Sequence, residues 1–261
     1  MTSRCDPARR FGGIERLYGA GSLARLAAAH VCVVGIGGVG SWAVEALARS
    51  GIGRITLIDL DHIAESNINR QIHALDATLG QAKVQAMGKR IAQINPGCDV
   101  AAVDDFVDAD NVARVLPACD AVIDAIDNVR AKAALIAHAR AQGIRIVTTG
   151  GAGGRTDPTR IELADLSRTT QDALASKTRA LLRKAYGFPR EPKRKFGVDC
   201  VFSAEPLRRP ATTVVCAADA PAMDGGAGLA CAGYGSSMAV TAGFGLAAAA
   251  RTIGVLAEGA A

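Results

Sequence analysis

Around one glycine-rich turn this sequence gathers residue types that can grip a nucleoside triphosphate. The turn is Gly35-Ile36-Gly37-Gly38-Val39-Gly40; Asp59-Leu60-Asp61 comes next, then Asn67, Asn69-Arg70-Gln71, Lys83 and Asp127-Asn128. Gly35, Gly37 and Gly40 fit G-x-G-x-x-G after an apolar run and before a helical stretch, an arrangement that seats phosphate at a helix N-terminus. Asp59 ends the next apolar run, where a carboxylate accepts hydrogen bonds from ribose hydroxyls. A nicotinamide-dependent oxidoreductase would share all of this. Arg70, Lys83 and Asp127 are harder to place in hydride chemistry. Lys83 falls in the first turn of its helix, where the dipole disfavours a cation by up to ~1 kcal/mol, and a docked anion removes that conflict. Asp127 follows a central strand and can hold Mg²⁺ or order the triphosphate. The chemistry that uses such a set is attack of a carboxylate on the α-phosphate of ATP, with Arg70, Lys83 and Asp127 as catalytic groups. Gly35, Gly37, Gly38, Gly40, Asp59, Asp61, Asn67, Asn69, Gln71 and Asn128 then form the nucleotide pocket.

The elements that must carry these residues alternate between short apolar runs and amphipathic stretches. Val31–Val34, Ile55–Ile58, Val100–Val103, Ala121–Ile126 and Ile144–Thr148 read as strands. Residues 14–29, 38–50, 80–95 and 129–142 read as helices, the first through Ile14, Leu17, Leu23 and Leu26. That rhythm predicts an α/β fold: a Rossmann-like, mostly parallel sheet with flanking helices. After Gly150–Gly154 the rhythm changes. Strands are expected at 159–164, 198–203 and 211–216, with helices at 170–186 and 234–253, forming a C-terminal α+β extension packed on the first part. The expected division is a helical segment 1–29, an ATP-binding region 30–155 and a C-terminal lobe 156–261 covering the pocket, all within one domain.

Composition restricts the setting. The 261 residues are 49% hydrophobic with a mean hydropathy of +0.19, enough to bury a sizeable core. The N-terminal stretch carries Arg4, Arg9 and Arg10 and no apolar run, unlike a secretory signal. Seven scattered cysteines without a CxxC pair fit a reducing cytoplasm. From Leu229 to Ala250 no residue is charged, a length that permits a membrane span. Its glycines, serines and threonines favour a small-residue helix buried against the core or a second subunit. Between Lys177 and Phe196, eight cations face the single acid Glu191, a local charge larger than the +5 of the whole chain. Arg183, Lys184, Arg190, Lys193, Arg194 and Lys195 are thus the expected contacts to a polyanion.

At the nucleotide residues the chain resembles the ubiquitin-activating-like adenylating enzymes, the ThiF/MoeB/HesA superfamily. Three further blocks make it similar to the branch that dehydrates threonylcarbamoyladenosine in tRNA to a cyclic form. They are Arg10-Phe11-Gly12-Gly13, Thr148–Gly154 with Asp157-Pro158-Thr159, and Gly197–Ser203. The resemblance implies ATP and Mg²⁺, ribose at Asp59, phosphates at Arg70 and Lys83, metal at Asp127, a homodimer, and modified tRNA on the basic segment. A monovalent cation stays open. Activators of sulfur carriers in this superfamily commonly hold zinc with two CxxC pairs; this chain has neither pair, and no zinc is expected. The alternative reading is an enzyme that adenylates, or accepts sulfur from, a small carrier protein. It would work with a cysteine desulfurase system and use Cys231, in Ala230-Cys231-Ala232-Gly233, as sulfur acceptor.

Overall fold

A computed structural model describes residues 6–208 and 234–258. Two short helices, α1 (Pro7–Tyr18) and α2 (Ser22–Ala28), lead into β1 (His30–Val34), α3 (Gly40–Arg49), β2 (Arg54–Ile58), α4 (Lys83–Ile94) and β3 (Asp99–Val103). Then come α5 (Val112–Val115), β4 (Ala121–Asp124), α6 (Val129–Ala141) and β5 (Arg145–Thr149), followed by β6 (Ile161–Asp165), α7 (Ala173–Ala185), β7 (Asp199–Ser203) and α8 (Met238–Glu258). The seven strands form one sheet in the order β3-β2-β1-β4-β5-β7-β6, parallel except for the antiparallel pairing of β6 with β7. The expected α/β class and mostly parallel sheet are what the chain adopts.

Side-chain alternation along the buried strands divides the core in two. Val31, Val33, Ile55, Leu57 and Ile123 pack on one face against α2, α3, α4 and α8. Cys32, Val34, Ile58, Val122 and Ile146 pack on the other against α5, α6 and α7. The long apolar helix α8 belongs to the first core: Val240, Phe244, Ala248, Ala249 and Ile253 are buried there. Gly245 lets it sit against α3, since a Cβ at that position would collide with the Val39 carbonyl oxygen and approach Ala43 N to 2.9 Å.

Three expectations change. The single leading helix is two, because Gly19 and Gly21 adopt φ of +91° and +78° and break it; the Glu15 carboxylate ties the break by accepting from Gly21 N at 2.6 Å. Leu17, placed on the apolar face from its spacing, is 73% exposed. α8 begins at Met238, four residues later than expected, and runs on to Glu258. The strand expected at 211–216 lies outside the described residues.

Candidate active site

The sheet order reverses between β1 and β4: from β1 the chain moves outward to β2 and β3, then crosses back to β4 on β1's other side. Ligands of open α/β sheets bind at such a point, beyond the C-terminal strand ends. Here those ends carry the predicted residues. Val34 of β1 pairs with Asp124 of β4 and with Ile58 of β2, which brings the Gly35 turn between Ala125–Asn128 and Asp59. Gly35 has φ of +87°, and a Cβ there would lie 2.9 Å from the Ala125 carbonyl oxygen. Gly40 is equally confined, its missing Cβ directed into the Gly35 carbonyl. Among the described residues, the amides of Gly37, Gly38 and Val39, at the start of α3, have no hydrogen-bond acceptor.

Asp59 lies against the turn. Its carboxylate accepts from Ile36 N at 2.5 Å and from Asp61 N at 2.8 Å. Burial pushes its pKa above the usual carboxylate value, against the opposing pull of Lys83 and the two amides. The excursion from Asp61 to Lys83 closes on itself, with Ile63 N donating to Gln81 O at 2.9 Å and Lys83 N to Asp61 O at 3.0 Å. That closure returns Lys83 to the site. Its buried Nζ sits 2.6 Å from Asp61 Oδ2 and 3.9 Å from Asp59 Oδ1. Asp61, not only a bound anion, thus relieves the conflict between a cation and the start of α4.

Arg70 lies over the turn: a Cβ on Gly38 would meet its Cγ and Cδ at 3.2 Å. Trp42 of α3 fixes this segment by donating Nε1 to the Arg70 carbonyl at 2.9 Å. The Arg70 guanidinium donates to Ser66 O at 2.7 Å and to Asn69 Oδ1 at 3.0 Å. Gln71 is buried beside Gly37, and its Oε1 has no partner. Thr241 of α8 backs Gly38, with its buried Oγ1 likewise unpartnered. Unpaired buried polar atoms cost about 1–3 kcal/mol each, so two beside a phosphate-type turn suit an occupant that supplies hydrogen bonds.

Other predicted residues have structural duties. Asn67 Oδ1 accepts from Ala64 N at 3.1 Å, Asn69 donates to Ser236 O at 2.9 Å, and Asn128 Oδ1 caps α6 by accepting from Arg130 N and Ala131 N. Asp127 is exposed on the switch-point turn. Among the described residues no cluster of three or more His, Cys, Asp or Glu could hold a metal. One carboxylate fits Mg²⁺ that arrives with substrate phosphates. Cys231 lies outside the described residues. The basic segment is not at this edge of the sheet.

Two networks beneath the site escape a motif search. Asp124, fully buried, accepts from Lys132 Nζ at 2.8 Å, from Thr148 Oγ1 at 2.6 Å and from Ile126 N at 3.1 Å. It joins β4, β5 and α6 directly below Asp127. The available signal was a charge inside each of two apolar runs, Ala121–Ile126 and Ala131–Ile136. The second network holds the Gly150–Gly154 loop. Buried Arg155 donates to the carbonyls of Gly151, Gln171 and Glu205, and Asp172 accepts from Gly151 N at 2.9 Å while capping α7. Cys32 and Cys200 are core residues whose thiols burial pushes far up, and Cys98 and Cys119 rise to about 11. Such thiols are poor nucleophiles.

Comparison with known proteins agrees with this geometry. The ThiF family pattern matches residues 13–257. A tRNA threonylcarbamoyladenosine dehydratase from Haemophilus influenzae is 52% identical over 247 residues, covering 94% of this chain and 92% of the relative. The crystal structure of Escherichia coli tRNA N6-threonylcarbamoyladenosine dehydratase in complex with ATP superposes with a TM-score of 0.84 at 51% identity, covering 94% of this chain and 93% of that one. The same enzyme in complex with AMP gives 0.84 at 50% identity over 97% and 96% of the two chains.

Proposed function

The chain belongs to the ThiF family, and from that membership we propose that it dehydrates N6-threonylcarbamoyladenosine in tRNA at the expense of ATP. The observation that carries the reading is the meeting, at one switch point, of unengaged α3 amides, Arg70, Lys83 and Asp59. Similarity to ATP- and AMP-bound structures of an enzyme of that name supports it. Asp59 accepts from the ribose. The amides of Gly37, Gly38 and Val39 receive phosphate oxygens, and Gln71 meets the same ligand. Arg70 and Lys83 neutralise charge at the α-phosphate, and Asp127 would hold Mg²⁺, which would offset further negative charge.

The threonyl carboxylate attacks the α-phosphorus, forming an acyl–phosphate bond as pyrophosphate leaves. The neighbouring carbamoyl group then attacks the activated carbonyl, closes a five-membered ring and releases AMP. Substrate supplies both nucleophiles, so the protein's contribution is orientation and charge stabilisation. Arg183, Lys184, Arg190, Lys193, Arg194 and Lys195 bind the tRNA. The proposal includes a homodimer and a cytoplasmic setting, and it treats 30–155 and 156–261 as one functional unit, supported by the single continuous sheet. Among the described residues no feature favours the carrier-protein alternative, whose handle, Cys231, lies outside them.

The test is turnover of ATP and Mg²⁺ with tRNA carrying threonylcarbamoyladenosine, followed by mass spectrometry of the nucleosides. AMP formed with loss of one water from the modified base is the expected result. ATP consumption without change in the RNA would remove this substrate.

A further inference from the structure

The basic segment and the nucleotide site occupy opposite edges of the sheet. β7 runs parallel to β5 with Asp199 beside Val147, so the chain enters β7 from the N-terminal side of the sheet. The site uses the C-terminal edge. α7 descends between them, from Asp172 beside the Gly150–Gly154 loop to Lys184 and the loop that follows.

That loop is firmly seated. The Asp165 carboxylate accepts from the amides of Phe196, Gly197 and Val198 at 3.0, 2.7 and 3.3 Å, and Arg168 donates to Lys193 O at 3.1 Å. Arg183 stacks over Phe196 at 5.1 Å. The Asp165 carboxylate is therefore engaged by backbone. Among the described residues, Lys184, Arg190, Lys193, Arg194 and Lys195 are exposed and have no acidic side chain within salt-bridge distance. Exposed Arg140, Arg145 and Arg168 extend the same edge, Arg140 lying against Gly197. A preorganised, unpaired basic edge is what a phosphate backbone requires.

We propose that this N-terminal-edge surface binds the RNA backbone away from the reacting nucleoside, so that the substrate spans the sheet from one edge to the other. The inference rests on the proposed substrate. The five residues of β5 alone separate the edges by about 13 Å, on the order of four nucleotides along a nucleic-acid strand. Arg140, Arg145 and Arg168 become part of the RNA surface, and a single nucleoside cannot engage it while reacting.

The experiment places a photo-crosslinker on a Lys193→Cys variant and maps adducts on tRNA carrying threonylcarbamoyladenosine. Adducts about four or more nucleotides from the modified base are expected. Adducts within two nucleotides of it, or none, would overturn the proposal. In parallel, Lys193→Gln/Arg194→Gln/Lys195→Gln should raise the tRNA Kd by on the order of tenfold or more and lower the slope of log K against log salt by about 2 to 3. An unchanged Kd and slope would also overturn it. Neither readout needs turnover: remote adducts without dehydration would leave this surface standing and remove the proposed reaction.

Discussion

Lys83 and Asp59 illustrate how much one side chain's surroundings decide. Lys83 is buried beside two carboxylates, so its charge is compensated within the protein itself. Lys83→Met should lower the rate of AMP formation by about 10²–10³-fold; a rate within twofold of the unaltered protein removes Lys83 from the chemistry. His73 is a second case. It is buried with both ring nitrogens unpartnered, and burial, then Lys83 and Arg90, lower its pKa to about 4. The unfolded chain therefore binds a proton that the folded one refuses. Its stability is fully present above about pH 6.5 and falls as pH drops towards 4, by on the order of 3 kcal/mol in total. Denaturant midpoints at pH 7.5 and 4.5 should diverge less in His73→Leu than in the unaltered protein. An identical divergence would place the acid sensitivity elsewhere.

At the scale of elements, the site depends on contacts that hold strand ends in register. The Asp124–Lys132 pair ties β4, β5 and α6 below the Asp127 turn, both side chains being almost wholly buried. Lys132→Met leaves a buried carboxylate unpaired and should cost about 3–5 kcal/mol, whereas adding Asp124→Leu should recover much of that loss. Thermal melts of the single and double variants decide it; equal losses would show that the pair does not act as a unit. The seat of α8 on α3 is as narrow. Gly245→Ala drives a methyl into the Val39 carbonyl and the first turn of α3. It should lower Tm and weaken ATP binding together, since the same turn carries the unengaged amides. A variant with reduced Tm and unaltered ATP affinity would separate the two.

On the scale of the whole molecule, one continuous sheet presents two unlike edges, and the apolar helix α8 closes one face of the core. By length and composition α8 could cross a bilayer, yet Val240, Phe244, Ala248, Ala249 and Ile253 are packed in the core against α3 and the sheet. The folded protein should stay with the aqueous fraction when floated with liposomes at moderate salt. Co-flotation that survives 0.5 M salt, roughly where surface electrostatics are screened, would mean that α8 leaves the core.

The sequence by itself determined the elements and the residues nearest the turn. Glycine spacing, buried strand runs and the misplaced cation at Lys83 are local signals, readable within one turn or one strand. Their outcome in the fold follows from β1 taking β2 on one side and β4 on the other. Only the tertiary structure decided what each polar group does once neighbours compete for it. Asp61 became the partner of Lys83, and Asp124, Lys132 and Thr148 a buried network, because those partners lie 8 to 24 residues apart in sequence, whereas the Asn128 cap is a local contact to amides two and three residues on. Strand direction likewise placed the basic segment away from the nucleotide, a fact its composition does not contain: charge is counted along the chain, but which edge it reaches is set by the pairing of β7 with β5.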